Sequence, residues 1–422
     1  MRSGPRTSDI NWSIIPQPLC DFSHLGDDFT EGEIKGAVFG SASDKAPGPD
    51  GFTGAFFKSC WDIIKADLVA VVNQFSTLHT ANLHWLNSAN IALIPKKEGA
   101  EEITDFRPIS LIHAVGKIIS KLMATRLAPL MNDVVSHAQS AFIKKRSIHD
   151  NFLYVRNLAR RLHKNKTPTF LFKLDIKKAL DSVRWEYLID MLRHLGFPPK
   201  FCDWVSALLS TASSRVLLNG VAGGPIKHGR GLRQGDPLTP LLFDIAIDPI
   251  HHILCKATAQ GLLHKLRGRI PTIRTSLYTD DAAIFMAPIK KDIDFLASTL
   301  ALFGNVTGLV TNCSKSQVVA IRCENVDLDT ILQAFPASRT TFPMKYLGLP
   351  LTVGRLKSSH FQPLIDKAAS KLVPWMGKHA TMAGRSVLVK AVLTSVVIYF
   401  ITVIDVPAGV LKKIDGIRRA YL

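Results

Sequence analysis

Two periods alternate along the chain. Phe57, Trp61, Ile64, Leu68, Val71, Val72 and Phe75 fall near helical spacing and predict an amphipathic helix across FFKSCWDIIKADLVAVVNQF. The Gly/Pro cluster APGPDG, 46–51, breaks the chain before it. From about residue 86 short β-like runs alternate with helical ones, which predicts an α+β core. In FLFKLDI one parity carries Phe170, Phe172, Leu174 and Ile176 and the other Leu171, Lys173 and Asp175, so a strand here buries its even face and holds Asp175 on the opposite one. In TSLYTDDAAIFM two apolar runs flank Thr279, Asp280 and Asp281, as in a hairpin with its acids at the bend.

GDPLTPLLFDIAI reads as a helix start, with Asp236 as cap, Pro237 in the first helical position, and Leu238, Leu241, Leu242 and Ile245 on one face. The segment before it, NGVAGGPIKHGRGLRQG, reads as Gly-rich loop. After about residue 353 the pattern turns helical and basic, and the closing LKKIDGIRRAYL, without a polar tail, reads as cut. Ala391 to Ile404 is uncharged and apolar, but fourteen residues fall short of a bilayer span, so a buried helix or strand is expected.

Composition narrows the classes of function. With 422 residues, 47% apolar and 20% charged, the chain has material for a large core in two or three units. Fifty-two Lys plus Arg against thirty-four Asp plus Glu give a formal charge of +18, which favours a polyanionic partner, nucleic acid first. The six cysteines are scattered without C-x-x-C, which argues against a disulfide framework or a zinc site. MRSGPRTSDINW lacks the apolar stretch of a signal peptide, so an intracellular protein, nuclear or cytoplasmic and without a membrane, is expected.

Phosphoryl transfer from a nucleotide requires carboxylates that hold two divalent cations about 4 Å apart. Asp175 on a strand and Asp280 and Asp281 on a hairpin supply such a set if the two strands are neighbours. Either piece alone also fits an ordinary turn.

The order of the motifs decides between these readings. LIPKK (93–97), DFRPISLI (105–112), QSAFIKKRSIHDN (139–151), FLFKLDIKKALDSVRWEYL (170–188), GRGLRQGDPLTPLLF (229–243), LYTDDAAIFM (277–286), GLVTNCSKSQ (308–317) and KYLGLPL (345–351) resemble the successive motifs of LINE-type (non-LTR) retrotransposon reverse transcriptases. DKAPGPDG (44–51) and KLVPWMGKHATMAGRSVLVKAVL (371–393) resemble elements of the same family, especially plant ones.

The resemblance implies a right-hand polymerase fold of the α+β class, with an antiparallel palm sheet packed on helices. It divides the chain into an N-terminal extension leading into the fingers (1–85), fingers and palm (86–352), and a helical, incomplete thumb (353–422), with no endonuclease domain, zinc knuckle or RNase H. It implies an RNA-directed DNA polymerase acting on an RNA template, a DNA primer and deoxynucleoside triphosphates, with two Mg2+ ions, for which Mn2+ can substitute. Asp175, Asp280 and Asp281 match the metal-binding acids, and Lys315 matches a proton donor to departing pyrophosphate. Arg107 and Lys96 match residues that grip the triphosphate, and Gln234 and Gly235 residues that pack against incoming nucleotide and template. Tyr346, Leu347 and Gly348 match the element that holds the primer end, although Tyr346 and Leu347 equally suit a core. The basic runs 144–146 and 156–166 fit contacts to a duplex backbone. Oligomeric state is not legible.

The chain departs from the family pattern at Thr279, where Ala is usual, and at Leu180, where an aromatic ring is usual. A catalytically silent relic, an RNA-binding protein or a splicing maturase on the same fold therefore stays open beside the polymerase. Leu180 corresponds to the ring that gates against the ribose 2′-hydroxyl. Leu fills similar space but lacks a stiff ring edge. Polymerase activity here is expected to incorporate ribonucleotides more readily than the Leu180→Phe variant, by about 10-fold or more, a difference of the size one steric contact supplies. Single-nucleotide extension with matched deoxy and ribo substrates measures it, and equal discrimination would place the gate elsewhere.

Overall fold

A computed structural model describes residues 10–79, 81–266, 273–371 and 380–422. Twelve strands form three sheets among these residues. The first takes β1 (Ser88–Pro95), β2 (Phe106–Ile112), β4 (Ser213–Leu218), β5 (Val221–Ala222) and β6 (Ile226–Lys227), in the order β2-β1-β4-β5 with β6 also on β4. β1 runs antiparallel to β2 and parallel to β4. The second takes β3 (Thr169–Leu174), β7 (Thr275–Tyr278), β8 (Asp281–Met286), β9 (Gln317–Ile321) and β10 (Ser338–Thr340), in the order β10-β9-β3-β8-β7. All its pairs are antiparallel except β9 with β10. The third is the hairpin of β11 (Met344–Tyr346) and β12 (Leu349–Leu351).

Period-two alternation makes the second sheet a partition between two cores. Phe170, Phe172, Leu174, Ile284 and Val318 join the larger core, which includes the helices Trp185–His194, Pro199–Ser210 and Thr239–Ile247. Leu171, Ala283, Phe285 and Val319 face the other way, onto the smaller core. The odd face of β3, expected to be open, is thus closed at Leu171 and opens only toward Lys173 and Asp175. The helix Ile148–Lys164 covers it. Ser147 caps that helix, its hydroxyl accepting from the Asp150 amide at 3.1 Å, and Phe152, Val155, Leu158 and Leu162 form its buried stripe.

The N-terminal residues pack into the larger core. Phe29 stacks on Trp204 at 4.9 Å between ring centroids, and the Trp204 indole N–H donates to the Ser76 carbonyl at 3.0 Å. Arg126 lies over the Phe29 ring and forks onto both oxygens of Glu33, 2.7 and 2.9 Å away, which holds that carboxyl down at about 2.

Several expectations change. The amphipathic segment is two helices, Gly54–Ser59 and Trp61–Ser76, parted at Cys60. The Gly-rich stretch before GDPLTP contains β5 and β6, and the turn into β5 is Asn219-Gly220, both at positive φ as a tight hairpin turn requires. The helix expected from Asp236 starts at Thr239, with Pro240 rather than Pro237 in its first turn. One oxygen of Asp236 does accept from the Leu238 amide at 2.9 Å, but the other is drawn inward to the Ser120 hydroxyl and Arg233. Ala391 to Ile404 is not a buried element: it lies largely within one helix, Met382–Ile401, of which little is buried. This helix is long and apolar enough to cross a membrane by length and composition, and a π turn, Val389–Leu393, interrupts it. The segment 372–379 of the plant-like element lies outside the described residues.

Gly308 ends the helix Lys290–Thr307 at φ +86, and a Cβ there would stand 2.0 Å from the Ser182 carbonyl oxygen. The strand-to-helix segment after Asp175 is held by that close approach, with the Arg184 amide donating to the Thr307 carbonyl at 2.8 Å. Gly308→Ala combines strain at positive φ with a backbone clash, so it is expected to cost roughly 2 kcal/mol or more. Urea unfolding monitored by circular dichroism reads the loss, and an unchanged midpoint would refute it.

Candidate active site

One register brings three acids to one place. Leu174 lies opposite Ala282 and Lys173 opposite Ala283 across β3 and β8. Continued by one residue, the register sets Asp175 opposite Asp281. Asp280 sits beside it in the two-residue turn Thr279-Asp280 that joins β7 to β8, where Tyr278 pairs with Asp281. Thr279 takes φ +52, an uncommon backbone for a β-branched residue. Its amide points to Gln139 Oε1 at 3.3 Å.

Asp175 is held from the loop that precedes β9. Its carbonyl accepts from the Asn312 amide at 2.7 Å, its Oδ2 accepts from Asn312 Nδ2 at 3.1 Å, and its amide donates to Ser316 Oγ at 3.1 Å. The loop between Gly308 and β9 is thereby fastened to the end of β3, and it carries Lys315, exposed, three residues past Asn312.

Charge is crowded here. Removal of water raises the carboxyls of Asp280 and Asp281 above the ordinary range, and the neighbouring acids push in the same direction. Lys173 opposes them, its Nζ 3.7 Å from Asp281 Oδ1, and the Asp280 backbone amide also lowers its own carboxyl. The oxygen-only donor set and the excess of negative charge, three acids against the one lysine, fit a divalent cation. Among the described residues, however, no three side chains of ligand type are drawn together closely enough to hold one as they stand.

The other expected residues surround this point at different removes. Leu180 is half-buried against the larger core, and its carbonyl accepts from the Leu232 amide at 2.7 Å. Gln234 accepts from the Ser110 amide at 2.9 Å, which ties the RQGDP loop to the edge of β2. Gly235 takes φ +110, and a Cβ there would lie 2.9 Å from the Ser110 oxygen, so its close approach is to β2 itself. Arg233 underpins the loop, buried, donating to the Asn87 carbonyl at 2.8 Å and to the Asn87 side chain. Arg107 is exposed on β2 opposite Ile94, whereas exposed Lys96, just past β1, donates to the Thr104 carbonyl at 2.8 Å.

Leu347 and Gly348 form the β11–β12 turn, at φ +46 and +80. Tyr346 and Leu347 are both buried in the smaller core. The Tyr346 hydroxyl donates to Asn151 Oδ1 at 2.8 Å, and Tyr399 donates to the Leu347 carbonyl at 2.5 Å. Arg146, expected on a duplex-binding run, is instead a structural group that donates to the carbonyls of Ser136, Gln139, Asn132 and Val135. Arg156 likewise donates to the Val403 carbonyl. Sequence reasoning gave no role to Lys173, Asn312 or Asn151, whose partners come from distant segments.

Residues 94–351, well over half of the chain, match the family Reverse transcriptase (RNA-dependent DNA polymerase). The chain belongs to this family. Its fold is the α+β right-hand polymerase fold. As a reverse transcriptase family member it is 28% identical over 360 residues to an uncharacterized 149 kDa protein of transposon TX1 from Xenopus laevis, which covers 84% of this chain and 27% of that protein. It is 26% identical over 389 residues to the Pol polyprotein of the type-2 retrotransposable element R2DM from Drosophila melanogaster, covering 89% and 35%. To the RNA-directed DNA polymerase from mobile element jockey of the same fly it is 25% identical over 275 residues, covering 64% and 28%. The chain thus spans about a third or less of the length of these relatives.

A carboxyl raised in the folded state penalises the fold above its folded value and not below its unfolded one. Asp280 is exposed, so solvent screens much of this penalty, and Asp280→Asn is expected to raise the melting temperature at pH 7 in EDTA by no more than about 1 °C. The gain should vanish as pH falls toward the ordinary carboxylate value of 3.8, where wild-type Asp280 is protonated too. Melting curves across pH in both proteins test the sign, which a loss of stability at pH 7 would reverse.

Proposed function

We propose that the chain is the polymerase portion of a non-LTR retrotransposon reverse transcriptase, an RNA-directed DNA polymerase that adds deoxynucleotides to a primer 3′ end. The observation that carries this reading is the β3–β8 register, which sets Asp175 opposite Asp281 beside Asp280. RNA template, DNA primer and deoxynucleoside triphosphates are the partners, in the nucleus or cytoplasm. Residues 1–85 lead into the fingers, 86–352 form fingers and palm, and the helices after 353 serve as thumb.

Asp175, Asp280 and Asp281 would hold two Mg2+ ions, for which Mn2+ can substitute; bound there, the metal activates the primer hydroxyl and neutralises the leaving pyrophosphate. The remaining work falls to the chain's own side chains. Arg107, exposed and without an ion pair among the described residues, has a guanidinium suited to a triphosphate. Lys96 must give up its bond to Thr104 to join it. Lys315 is carried beside Asp175 by the Asn312 bonds and supplies a proton to the pyrophosphate as it departs. Gln234 and Gly235 pack against the incoming nucleotide and template, while Leu180 borders the sugar. The turn at Leu347 and Gly348 holds the primer end.

Asp175→Asn and Asp280→Asn are each expected to lower magnesium-dependent extension of a DNA primer on a homopolymeric RNA template by about 1,000-fold or more, since each removes a ligand of the two-metal site. Melting temperature should change by no more than a few degrees. Extension by either variant at the wild-type rate would refute the assignment, and a wild-type chain that binds template and primer without extending it would identify a silent relic.

A further inference from the structure

A buried chain of hydrogen bonds joins three parts of the molecule that lie far apart in sequence. On the helix Met382–Ile401, the Tyr399 hydroxyl donates to the carbonyl of Leu347 at 2.5 Å. The next residue back, Tyr346, donates to Asn151 Oδ1 at 2.8 Å. Asn151, 3% exposed, passes the contact on: its Nδ2 donates to the Leu277 carbonyl at 2.8 Å. Leu277 stands three residues before Asp280, on the β7 arm of the hairpin that carries both acids.

The far side of that arm is held equally firmly. The Leu277 amide donates to the Ala138 carbonyl at 2.7 Å, and the Ser140 amide donates to the Leu277 carbonyl at 3.1 Å. Gln139 Oε1 takes the amides of Ser140, Ala141 and Thr279. β7 is an edge strand, so these bonds fix the acid-bearing turn from the side that has no strand partner. Among the described residues, the Asn151 side chain bonds both to this arm and to the β11–β12 hairpin, beside a direct bond between Tyr346 and Ser276 of β7. An amide suits the post because it donates at one end and accepts at the other. Phenol and amide are out of water, so a broken link leaves an unsatisfied buried group with no solvent to replace it.

We propose that Asn151 is a positioning residue that couples the Leu347-Gly348 turn to the Asp280-Asp281 hairpin, so that the placement of the primer end and of the Tyr399 helix sets the placement of the acids. The inference rests on the polymerase reading for its consequence in catalysis, but the coupling itself is a property of the fold. The structure assigns the turn two anchors, Tyr399 on one side and Tyr346 through Asn151 on the other. Displacement of the turn therefore loads the Leu277 carbonyl and, through it, the neighbouring acids.

Hydrogen exchange in the full chain tests the coupling without any need for activity. Tyr346→Phe removes one hydroxyl and keeps the ring, and Asn151→Leu removes both ends of the bridge. Each is expected to speed exchange at least 5-fold in peptides covering 344–351 and also in those covering 275–286, with β9 and β10 unchanged. Faster exchange confined to 344–351 would overturn the proposal. If Asn151→Leu fails to fold, Asn151→Ala decides it, since Tyr346→Phe also removes the direct bond to Ser276. In primer extension, each variant is expected to slow the single-turnover rate about 10-fold with nucleotide half-saturation held within twofold, and the double variant to be no slower than the slower single. Multiplying losses would overturn the coupling in catalysis. Absence of extension by the wild-type chain would refute the polymerase reading, leaving the exchange result to decide the bridge.

Discussion

The site depends on the register of β3 against β8. A slip of one residue would turn every side chain of β3 to the other face of the sheet, sending Lys173 and Asp175 toward Phe172 and Ile284 and bringing the phenylalanines out. What prevents it is that both faces of β3 are covered over most of its length. Phe170 and Phe172 are locked into one core and Leu171 into the other. A slip would bury two charges without partners, at several kcal/mol each, and expose the rings as well. Alternation along six residues thus fixes the position of an acid at the strand's end, where the smaller core has stopped and the face has opened.

Everything near the acids then hangs from backbone bonds to that strand and its continuation. Asn312 and Ser316 fasten one loop to Asp175, and Leu232 fastens the RQGDP loop to Leu180. The Ser110 amide in turn donates to the Gln234 carbonyl, so that the edge of the first sheet is joined to the RQGDP loop through a main-chain contact. Such contacts carry position without depending on which side chain is present, and this is why Leu180 stands where an aromatic residue is usual and the fold around it still closes. The steric edge that Leu180 presents to a nucleotide is a separate property, set by the side chain alone.

What could be read in the sequence follows from the range of the forces involved. The β3 pattern, the hairpin at Asp280-Asp281 and the stripe of Phe152, Val155 and Leu162 are local, and periodicity reports them. Asp236 was misread for the opposite reason: Ser120 and Arg233 compete for its carboxylate, and Ser120 is 116 residues away. Arg146 looked like part of a basic run because nothing local shows the four carbonyls that surround it. Asn151 meets Leu277 and Tyr346 across 126 and 195 residues, and its sequence neighbours give no sign of either. Apolar composition alone predicts burial of Ala391 to Ile404, because it carries no sign of whether a partner covers that segment. Motif order makes the three acids neighbours, and only the strand pairing gives them their geometry.

Strain is stored at both hairpin tips. Thr279 and Leu347 occupy the left-handed region, where branched and bulky residues are disfavoured by roughly 1 to 3 kcal/mol. Neither turn would keep that shape alone, because a two-stranded hairpin is marginal in water. Each is over-determined by bonds from outside itself: the Thr279 amide by Gln139, the Leu347 carbonyl by Tyr399, and both hairpins by Asn151. A strained turn held by a few buried bonds responds sharply when one is lost, since the strain then works against the remaining contacts. Asp280 and Asp281 therefore sit on the part of the second sheet whose shape depends most on its surroundings, while the strand that sets their register is the part that depends on them least.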